Sequence, residues 1–265
     1  MTENALSIGI IGGSGMLGSA ISTALLDRKA VEETDLWISN RTGSKAGFEQ
    51  FPQVNFTTDN KQLSEACDVV ILSVPPASAS QASVQVPGKL VISVMAGIGI
   101  DELRSLTGSD RIVRAVCSPA AAIGLAYSPW VATAEIDDGN RATVAAIFEA
   151  CGSTDEIADE AHLDHFTAMT GPVPGFVAYY AECMIDYAVK AGISPEIADR
   201  AIRQLFFSAG AMLAHGKATP SDHVQEMVEY AGTTAAGLNR MKNSPIRDAI
   251  AAGLDAAVEK ARNIR

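Results

Sequence analysis

A glycine-rich stretch close to the start of the chain constrains the fold more than any other feature. Residues 8–11 form a short apolar run, and residues 13–18 follow it with the pattern G-x-G-x-x-G of dinucleotide-binding turns. These glycines allow a tight turn, close approach of the backbone to a pyrophosphate, and close packing of the next helix. A strand–turn–helix without a ligand is the alternative interpretation. The residues predicted to bind the dinucleotide are Gly13, Ser14, Gly15, Met16 and Leu17.

Apolar runs and helical segments alternate up to about residue 120. The runs are nearly continuous, as in strands of a parallel sheet that is covered on both faces. Predicted strands cover residues 8–11, 35–39, 54–57, 68–74, 89–94 and 111–116, followed by a strand near 130–133, a helix over 141–151 and a strand near 156–158. This order predicts an α/β fold with a doubly wound parallel sheet, which is a Rossmann domain.

The second half of the chain has a different pattern. From about residue 160 nearly every segment shows helical periodicity, and no convincing strand pattern remains. Predicted helices cover residues 160–169, 174–192, 194–215, 220–230, 232–242 and 245–263. We therefore predict a Rossmann domain at residues 1–158 and an all-α domain at residues 159–265.

One predicted helix is unusually apolar. Residues 175–189 carry apolar side chains on most faces of the helix, which is typical of a buried helix. A small helical domain offers few neighbours to cover it. The pattern therefore predicts a homodimer, or a higher homo-oligomer, formed through the helical domain. Packing within one chain is the alternative.

The residues after the second predicted strand indicate which dinucleotide is bound. NAD sites usually place an acidic residue there to bind the ribose 2′-hydroxyl, whereas NADP sites use arginine and small hydroxyl residues for the 2′-phosphate. Asn40, Arg41 and Thr42 follow the strand and include no acid. A guanidinium makes charge-assisted contacts with phosphate, so NADP(H) is predicted, with NAD(H) open as a second cofactor. The alternative is that Arg41 is a solvated loop residue.

Other strand ends are expected to face the same crevice. Ligands of doubly wound sheets bind at the carboxyl ends of the strands. The further residues predicted to bind the cofactor there are Val74, Pro75, Ala96 and Gly97. Cys117 follows another predicted strand and is interpreted as a packed thiol beside the crevice.

Charge and composition exclude several classes of partner. The formal net charge of −11 argues against binding to nucleic acid or to an anionic membrane surface. No apolar stretch reaches the ~18 residues of a membrane-spanning helix. The four cysteines show no C-x-x-C spacing, and His162 and His165 lack an evident third ligand, so no metal site is predicted. Reduced thiols and the lack of a signal-peptide pattern predict a cytoplasmic protein.

A second glycine-containing turn lies in the helical half. Gly232, Thr233 and Thr234 stand at the start of the helix predicted over residues 232–242. Free backbone N–H groups at a helix N-terminus, together with two hydroxyls, can form a small carboxylate-binding site. The alternative is that one of the threonines simply caps the helix.

The order of these motifs resembles the pyrroline-5-carboxylate reductase family. In the first half, the matching positions are residues 10–13 with Met16 and Gly18, 39–41, 68–74, 92–93 with 96–98, and 112–114 with Pro119. In the second half, they are residues 163–164, 167–168, Gly171, and Gly232-Thr233-Thr234 with Gly237-Leu238. The resemblance covers nearly the whole chain, and the Gly-Thr-Thr passage is its most specific element.

The resemblance implies a Rossmann domain followed by a helical domain that interlocks two subunits. It also implies NAD(P)H-dependent reduction of a cyclic imine, with pyrroline-5-carboxylate converted to proline. The substrate carboxylate is expected on the backbone amides at Gly232 and Thr233, and the hydroxyl of Thr234 is expected to bond the ring nitrogen as the catalytic group. Hydride transfer to a protonated C=N bond needs orientation and support of charge rather than a strong base.

Two residues depart from the family pattern at the expected substrate site. Glu229 stands where the family has serine, and a carboxylate facing the pocket would repel the substrate carboxylate but stabilise an iminium. Pro172 lies in a passage that is stiffer and less polar than the family's Ser-Gly-Ser-Gly. Both are predicted to be substrate-site residues. The alternatives are therefore a reductase of a different imine and a non-catalytic, NADP-binding dimer that acts as a sensor.

The 3-hydroxyacid dehydrogenases share the same domain plan. That class needs a lysine early in the long interdomain helix to protonate the carbonyl oxygen, with an asparagine one turn later. Residues 171–187 contain neither lysine nor asparagine, which argues against carbonyl reduction. Tyr180 and Glu182 could donate a proton there, but structural roles for both are favoured.

Overall fold

A single mixed sheet organises the first part of the molecule. The computed structural model describes residues 6–264 of the chain. Its strands are β1 (Ile8–Ile11), β2 (Leu36–Ser39), β3 (Asn55–Thr57), β4 (Val69–Leu72), β5 (Leu90–Ser93), β6 (Ile112–Ala115), β7 (Ala126–Ala132) and β8 (Gly152–Glu156). They lie in the order β3-β2-β1-β4-β5-β6-β7-β8. All neighbouring strands are parallel except β6 and β7.

The strand order reverses beside β1, which confirms the predicted doubly wound arrangement. From β1 the chain passes outward to β2 and β3, and then returns to place β4 on the other side of β1. Every residue of β1 and β4 is buried, as their continuous apolar sequences predict. The crevice at such a reversal point is where doubly wound folds bind their ligands.

Apolar side chains alternate between two separate cores along these strands. Ile10 and Ile71 belong to one buried cluster, whereas Ile11 and Leu72 belong to another. Because successive side chains of a strand point to opposite faces, the sheet has a core on each face. This is the layered packing expected of an α/β domain.

The chain divides into two compact units, which are residues 6–172 with 256–264 and residues 173–255. The helices of the first unit are α1 (Met16–Asp27), α2 (Asn60–Ala66), α3 (Ile100–Thr107), α4 (Asp138–Cys151) and α5 (His162–Met169). Those that follow are α6 (Gly175–Lys190), α7 (Pro195–His215), α8 (Pro220–Glu229), α9 (Thr233–Lys242) and α10 (Ile246–Arg262). The helices predicted beyond residue 160 are confirmed, with ends that differ by one or two residues.

The apolar helix that is predicted to pack against a partner subunit is not buried within a single chain. α6 packs against α7, with the rings of Tyr180 and Phe206 meeting edge-on at 5.8 Å. No residue of α6 is buried, because this packing covers only part of its apolar surface. Its large exposed apolar side chains are Phe176, Val177, Tyr179, Tyr180, Tyr187 and Val189. Packing within one chain therefore does not account for the apolar sequence of this helix.

The predicted bounds of the last two strands and the predicted start of α4 are wrong. β7 begins ahead of the predicted residues 130–133 and includes Pro129, a residue that usually argues against a strand interior. β8 precedes the predicted residues 156–158, because it is a polar edge strand without an apolar run. α4 begins before residue 141, since Asp137 caps it by accepting a hydrogen bond from the Asn140 amide at 2.8 Å.

Two further features concern the whole described chain. Within residues 6–264, no helix is both long enough and apolar enough to cross a bilayer. Over the same residues, no three histidine, cysteine or acidic side chains converge as metal ligands would, and both His162 and His165 are exposed. All four cysteines are free thiols.

Candidate functional site

The glycine turn that joins β1 to α1 has no room for side chains at two of its positions. Gly12 has a φ of +84°, and a Cβ there would collide with the Ser73 carbonyl oxygen. A Cβ at Gly18 would collide with the Gly12 carbonyl oxygen, so the helix packs directly on the turn. The Gly15 amide donates to that same oxygen at 2.9 Å. The glycines therefore allow the close packing that the motif requires.

The N-terminus of α1 is left available to an anion. Gly15 is its N-cap residue, and no side chain accepts a hydrogen bond from the first turn. Ser14, Gly15 and Met16 are exposed. Uncapped N–H groups at the positive end of a helix dipole bind phosphate groups well. The turn thus fits the pyrophosphate of a dinucleotide on the evidence of its own geometry.

Asn40 joins the glycine turn to the loop after β2. Its Nδ2 donates to Ser14 Oγ at 2.7 Å and to the Ser44 carbonyl oxygen at 2.8 Å. Its Oδ1 accepts from the Thr42 amide at 3.2 Å. Arg41 lies between these anchored residues, is exposed, and has no hydrogen bond or ion pair among the described residues. The loop is therefore fixed while the guanidinium remains available for a ligand.

Asn60 is a residue at this edge of the sheet that the sequence reasoning missed. It is the first residue of α2, and its Oδ1 accepts from Ser39 Oγ at 2.5 Å at the end of β2. Its Nδ2 donates to the Gln81 carbonyl oxygen at 3.4 Å. The signal that could have found it is Asp59, which caps α2 and so places the next residue at the carboxyl edge of the sheet.

A cavity of about 300 Å³ lies on the other side of the reversal point. It brings together three of the predicted site residues, Leu17, Ala96 and Pro172. The other lining residues are Val94, Met95, Arg114, Ala115, Val116, Cys117, Thr167 and Gly171. The carboxyl ends of β5 and β6, the first turn of α1 and the end of α5 therefore share one cavity.

Of the remaining predicted cofactor residues, Val74 and Pro75 lie beside the turn, whereas Gly97 lies against the end of α10. Val74 follows β4, and its Cγ1 would lie 2.8 Å from a Cβ at Gly12, so it packs directly against the glycine turn. Pro75 is exposed next to it. Gly97 has a φ of +71°, and a Cβ there would lie 2.8 Å from the Ala261 carbonyl oxygen at the end of α10.

Arg114 is a buried charge in the cavity wall, and the sequence reasoning assigned it no role. Its Nη1 donates to Glu160 Oε1 at 3.0 Å, and its Nη2 donates to Asp164 Oδ1 at 2.9 Å. Glu160 Oε1 also accepts from the Ile100 amide at 3.0 Å, and Asp164 Oδ2 lies 3.5 Å from Arg262 Nε. The sequence signal that could have found this cluster is an arginine inside a predicted buried strand, because a buried charge needs partners of opposite charge.

Cys117 is a thiol that lines the cavity. It is buried, and a hydrogen bond from the Cys151 thiol lowers its pKa, against the opposing effect of burial. The same pairing and burial raise the pKa of Cys151. Cys67, which lies elsewhere in the core, has a pKa raised by burial to about 12. Cys117 is therefore the packed thiol beside the crevice that the sequence predicts.

The glycine–threonine turn belongs to the second unit. Gly232 is the N-cap residue of α9, and no side chain caps this helix. Thr233 and Thr234 are exposed, and neither hydroxyl has a hydrogen-bond partner among the described residues. Ala231, just before the turn, has a φ of +57°, which is unusual for a residue with a Cβ. The alternative that a threonine caps the helix is therefore excluded, and amides and hydroxyls remain available.

The other polar candidates of the second unit have local partners. Glu229 is the last residue of α8, and its Oε1 accepts from Gln225 Nε2 at 2.7 Å, one turn earlier in the same helix. Tyr180 packs on Phe206, which agrees with a structural role. Glu182 is exposed on α6.

Two family models match separate parts of the chain. Residues 160–264 match pyrroline-5-carboxylate reductase dimerisation, and residues 7–97 match NADP oxidoreductase, coenzyme F420-dependent. A pyrroline-5-carboxylate reductase of Synechocystis sp. is 25% identical over 98% of both chains. One of Arabidopsis thaliana is 29% identical over 82% of this chain and 80% of its own.

Solved structures share the fold. The crystal structure of a Plasmodium falciparum pyrroline carboxylate reductase with NADP bound has a TM-score of 0.83. It covers 100% of this chain and 99% of its own at 23% identity. The doubly wound sheet, its glycine turn and the helices that follow define a Rossmann-type oxidoreductase with an all-α dimerisation domain. Within that class, the chain is similar to the pyrroline-5-carboxylate reductases over nearly its whole length, as a divergent relative.

Proposed function

We propose that this protein is an NADPH-dependent reductase that converts pyrroline-5-carboxylate to proline. The observation that carries the proposal is the uncapped turn at Gly232, Thr233 and Thr234, in which both threonines are exposed and neither hydroxyl has a partner among the described residues. Such a turn suits a carboxylate next to a ring nitrogen. The relatives named as pyrroline-5-carboxylate reductases support the same reaction.

The first unit offers a matching set of groups for the cofactor. Uncapped amides at the start of α1 would hold the pyrophosphate, and Arg41 with Thr42 would hold the 2′-phosphate beyond β2. A dinucleotide placed across the reversal point has its other half on the side of β5 and β6. We therefore assign the nicotinamide end to the cavity lined by Leu17, Ala96 and Pro172. NADPH is the preferred cofactor, with NADH as a second one.

The chemistry required of the chain is orientation and charge support. NADPH, when bound, supplies the hydride for the C=N bond. The amides of the Gly232 turn bind the carboxylate, and the Thr234 hydroxyl bonds the ring nitrogen, so that the imine carbon has a fixed orientation. No strong general base is needed, since the imine nitrogen is protonated before reduction.

The working form proposed is a cytoplasmic homodimer. The exposed apolar side chains of α6 and the match of residues 160–264 to a dimerisation model support the assembly. The four free thiols support a reducing compartment.

The first experiment is NADPH oxidation with three substrates, followed by absorbance. Pyrroline-5-carboxylate, pyrroline-2-carboxylate and an uncharged cyclic imine are compared under the same conditions. Rapid turnover of the first supports the proposal. Turnover of another imine alone identifies a repurposed pocket, and Pro172 and Glu229 are then the first residues to exchange. Tight NADPH binding without any turnover identifies the sensor alternative.

Thr234 is tested by a matched pair of substitutions. Thr234→Ala removes the hydroxyl oxygen that accepts from the protonated ring nitrogen, and it is expected to lower kcat by about 10- to 100-fold because the imine is no longer held in a fixed orientation. Thr234→Ser keeps the hydroxyl and should retain most of the rate. The Kd for NADPH should not change in either variant. Equal rates for the alanine and serine variants would contradict the role of the hydroxyl.

A further inference from the structure

Arg114 is a charged residue in a strand that otherwise needs only apolar side chains. Its side chain is 8% exposed, and both terminal nitrogens are used by carboxylates from a different part of the unit. A buried ion pair contributes little net stability relative to apolar packing, because desolvation offsets the attraction. The arginine therefore calls for an explanation beyond the stability of the sheet.

The two carboxylates belong to the segment that contributes Thr167, Gly171 and Pro172 to the cavity wall. Glu160 precedes α5 and Asp164 lies in its first turn. Downstream of them, Thr167, Gly171 and Pro172 line the cavity together with Arg114 itself. The same side chain thus lines the cavity and holds the helix that contributes another part of its wall.

Few apolar contacts hold α5. The helix runs only from His162 to Met169, and its apolar contacts are the cluster of Leu163 with Val116 and Val131, the Phe166 ring at 5.9 Å from that of Tyr127, and the buried Ala168. A few apolar contacts resist separation but do not fix the rotation or the register of a short helix. The guanidinium, with donors in a fixed planar geometry, supplies this directional restraint.

We propose that Arg114 is a positioning residue, which fixes α5 through Glu160 and Asp164 and so sets the wall of the cavity at Thr167 and Pro172. The inference rests on the proposed function, in which this cavity receives the nicotinamide end of the cofactor. Arg114 acts on the reaction through the wall and does not itself contact the reacting atoms. A displacement of about 1 Å at such a wall is enough to lower a rate by about 100-fold.

The test is Arg114→Lys, which keeps the charge but replaces the planar fork with one point donor. We expect kcat to fall by about 10- to 100-fold, because the wall is displaced. The Kd for NADPH should stay within about threefold, because the phosphate-binding amides lie at the glycine turn. Two readouts do not depend on turnover. The fluorescence of bound NADPH should change, and hydrogen exchange in residues 160–172 should become faster.

The matched control is Arg104→Lys. Arg104 also lies in the first unit and is within 4 Å of three carboxylates, those of Asp101, Asp110 and Glu135, but it does not line the cavity. This variant should keep the wild-type kcat and the wild-type fluorescence of bound NADPH. If Arg114→Lys does not fold, Asp164→Asn removes one charge from the pair while keeping its shape, and the same separation of kcat from Kd is expected.

Three results would overturn the inference. In the first, Arg114→Lys keeps the kcat of the Arg104→Lys control. In the second, the NADPH affinity falls in parallel with kcat, as a general loss of structure would produce. In the third, the exchange of residues 160–172 and the fluorescence of bound NADPH are both unchanged. A wild-type protein that reduces none of the imines contradicts the proposed function instead, and the last two readouts then still decide the role of Arg114.

Discussion

Single glycines decide how closely backbone segments approach each other in the first unit. Gly97 is the informative case, because it follows β5 at the edge of the cavity and has a φ of +71°. A Cβ there would lie 2.6 Å from Ile264 Cγ2 and 2.8 Å from the Ala261 carbonyl oxygen. The last turn of the chain and the cofactor-side loop therefore depend on each other at this residue.

Gly97→Ala is expected to destabilise the protein by roughly 2–4 kcal/mol, which combines a left-handed backbone with overpacking. Gly88→Ala is the matched control, since Gly88 has a φ of +77° but no atom within 4 Å of a Cβ. It should cost only about 1–2 kcal/mol. Urea unfolding measures both values, and equal losses would show that the contact with Ala261 contributes nothing.

Helix ends give the clearest predictions at the scale of the element. α8 begins with a capping box, in which Thr219 Oγ1 accepts from the Asp222 amide at 3.1 Å and Asp222 Oδ2 accepts from the Thr219 amide at 2.8 Å. Ser194 begins α7 without such a bond. The third residue of α7 is Ile197, whereas a capping box needs a side chain there that can accept a hydrogen bond.

Thr219→Ala should therefore lower the free energy of unfolding by about 1 kcal/mol, whereas Ser194→Ala should change it by less than about 0.5 kcal/mol.

The hydroxyl and the amide of Thr219 lower the pKa of Asp222. A carboxyl whose pKa is lower in the folded state than in the unfolded state stabilises the protein at pH values above the unfolded pKa, which is near 3.8. That contribution is lost as the pH falls through the folded pKa. Urea unfolding at pH 7 and pH 3 measures it, and a Thr219→Ala effect that does not shrink at pH 3 would contradict the argument.

The same scale shows what the sequence could and could not predict. β1 and β4 were predictable because strands buried on both faces are continuous apolar runs. β8 was not, because a polar edge strand has no apolar period and depends on β7 to pair with it. The first half of β7 was not predicted for a related reason. It contains Pro129, and whether a proline is tolerated in a strand depends on its place among the paired residues, which only the sheet shows.

The candidate site divides in the same way. The glycine turn was predictable from residues that are adjacent in the chain, because local backbone geometry dictates them. Arg114, Glu160 and Asp164 are brought together only by the fold, so no local pattern could assign them to one another. The state of the threonine turn also needed the structure, because a free and a capping hydroxyl have the same sequence.

At the scale of the whole molecule, the exposed apolar surface of the second unit is the feature that most needs an explanation. Large apolar side chains remain uncovered on both α6 and α7, including Val177 and Phe207, which is 75% exposed. Surfaces of this kind mark protein–protein interfaces in soluble chains. A second copy of the chain that packs on these helices would cover them and would explain why α6 is apolar on most faces.

The double substitution Val177→Glu with Phe207→Glu should convert the dimer to a monomer. Both side chains are mostly exposed in the single chain, so the protomer loses little packing, whereas charges buried at a dimer interface cost several kcal/mol each. Ile123→Glu with Leu125→Glu is the matched control, because these two residues are 68% and 74% exposed in the first unit. Sedimentation equilibrium should show monomer for the first pair and dimer for the second. A dimer that persists in the first variant would place the interface elsewhere, and monomers in both would mean that added charge alone disrupts the assembly.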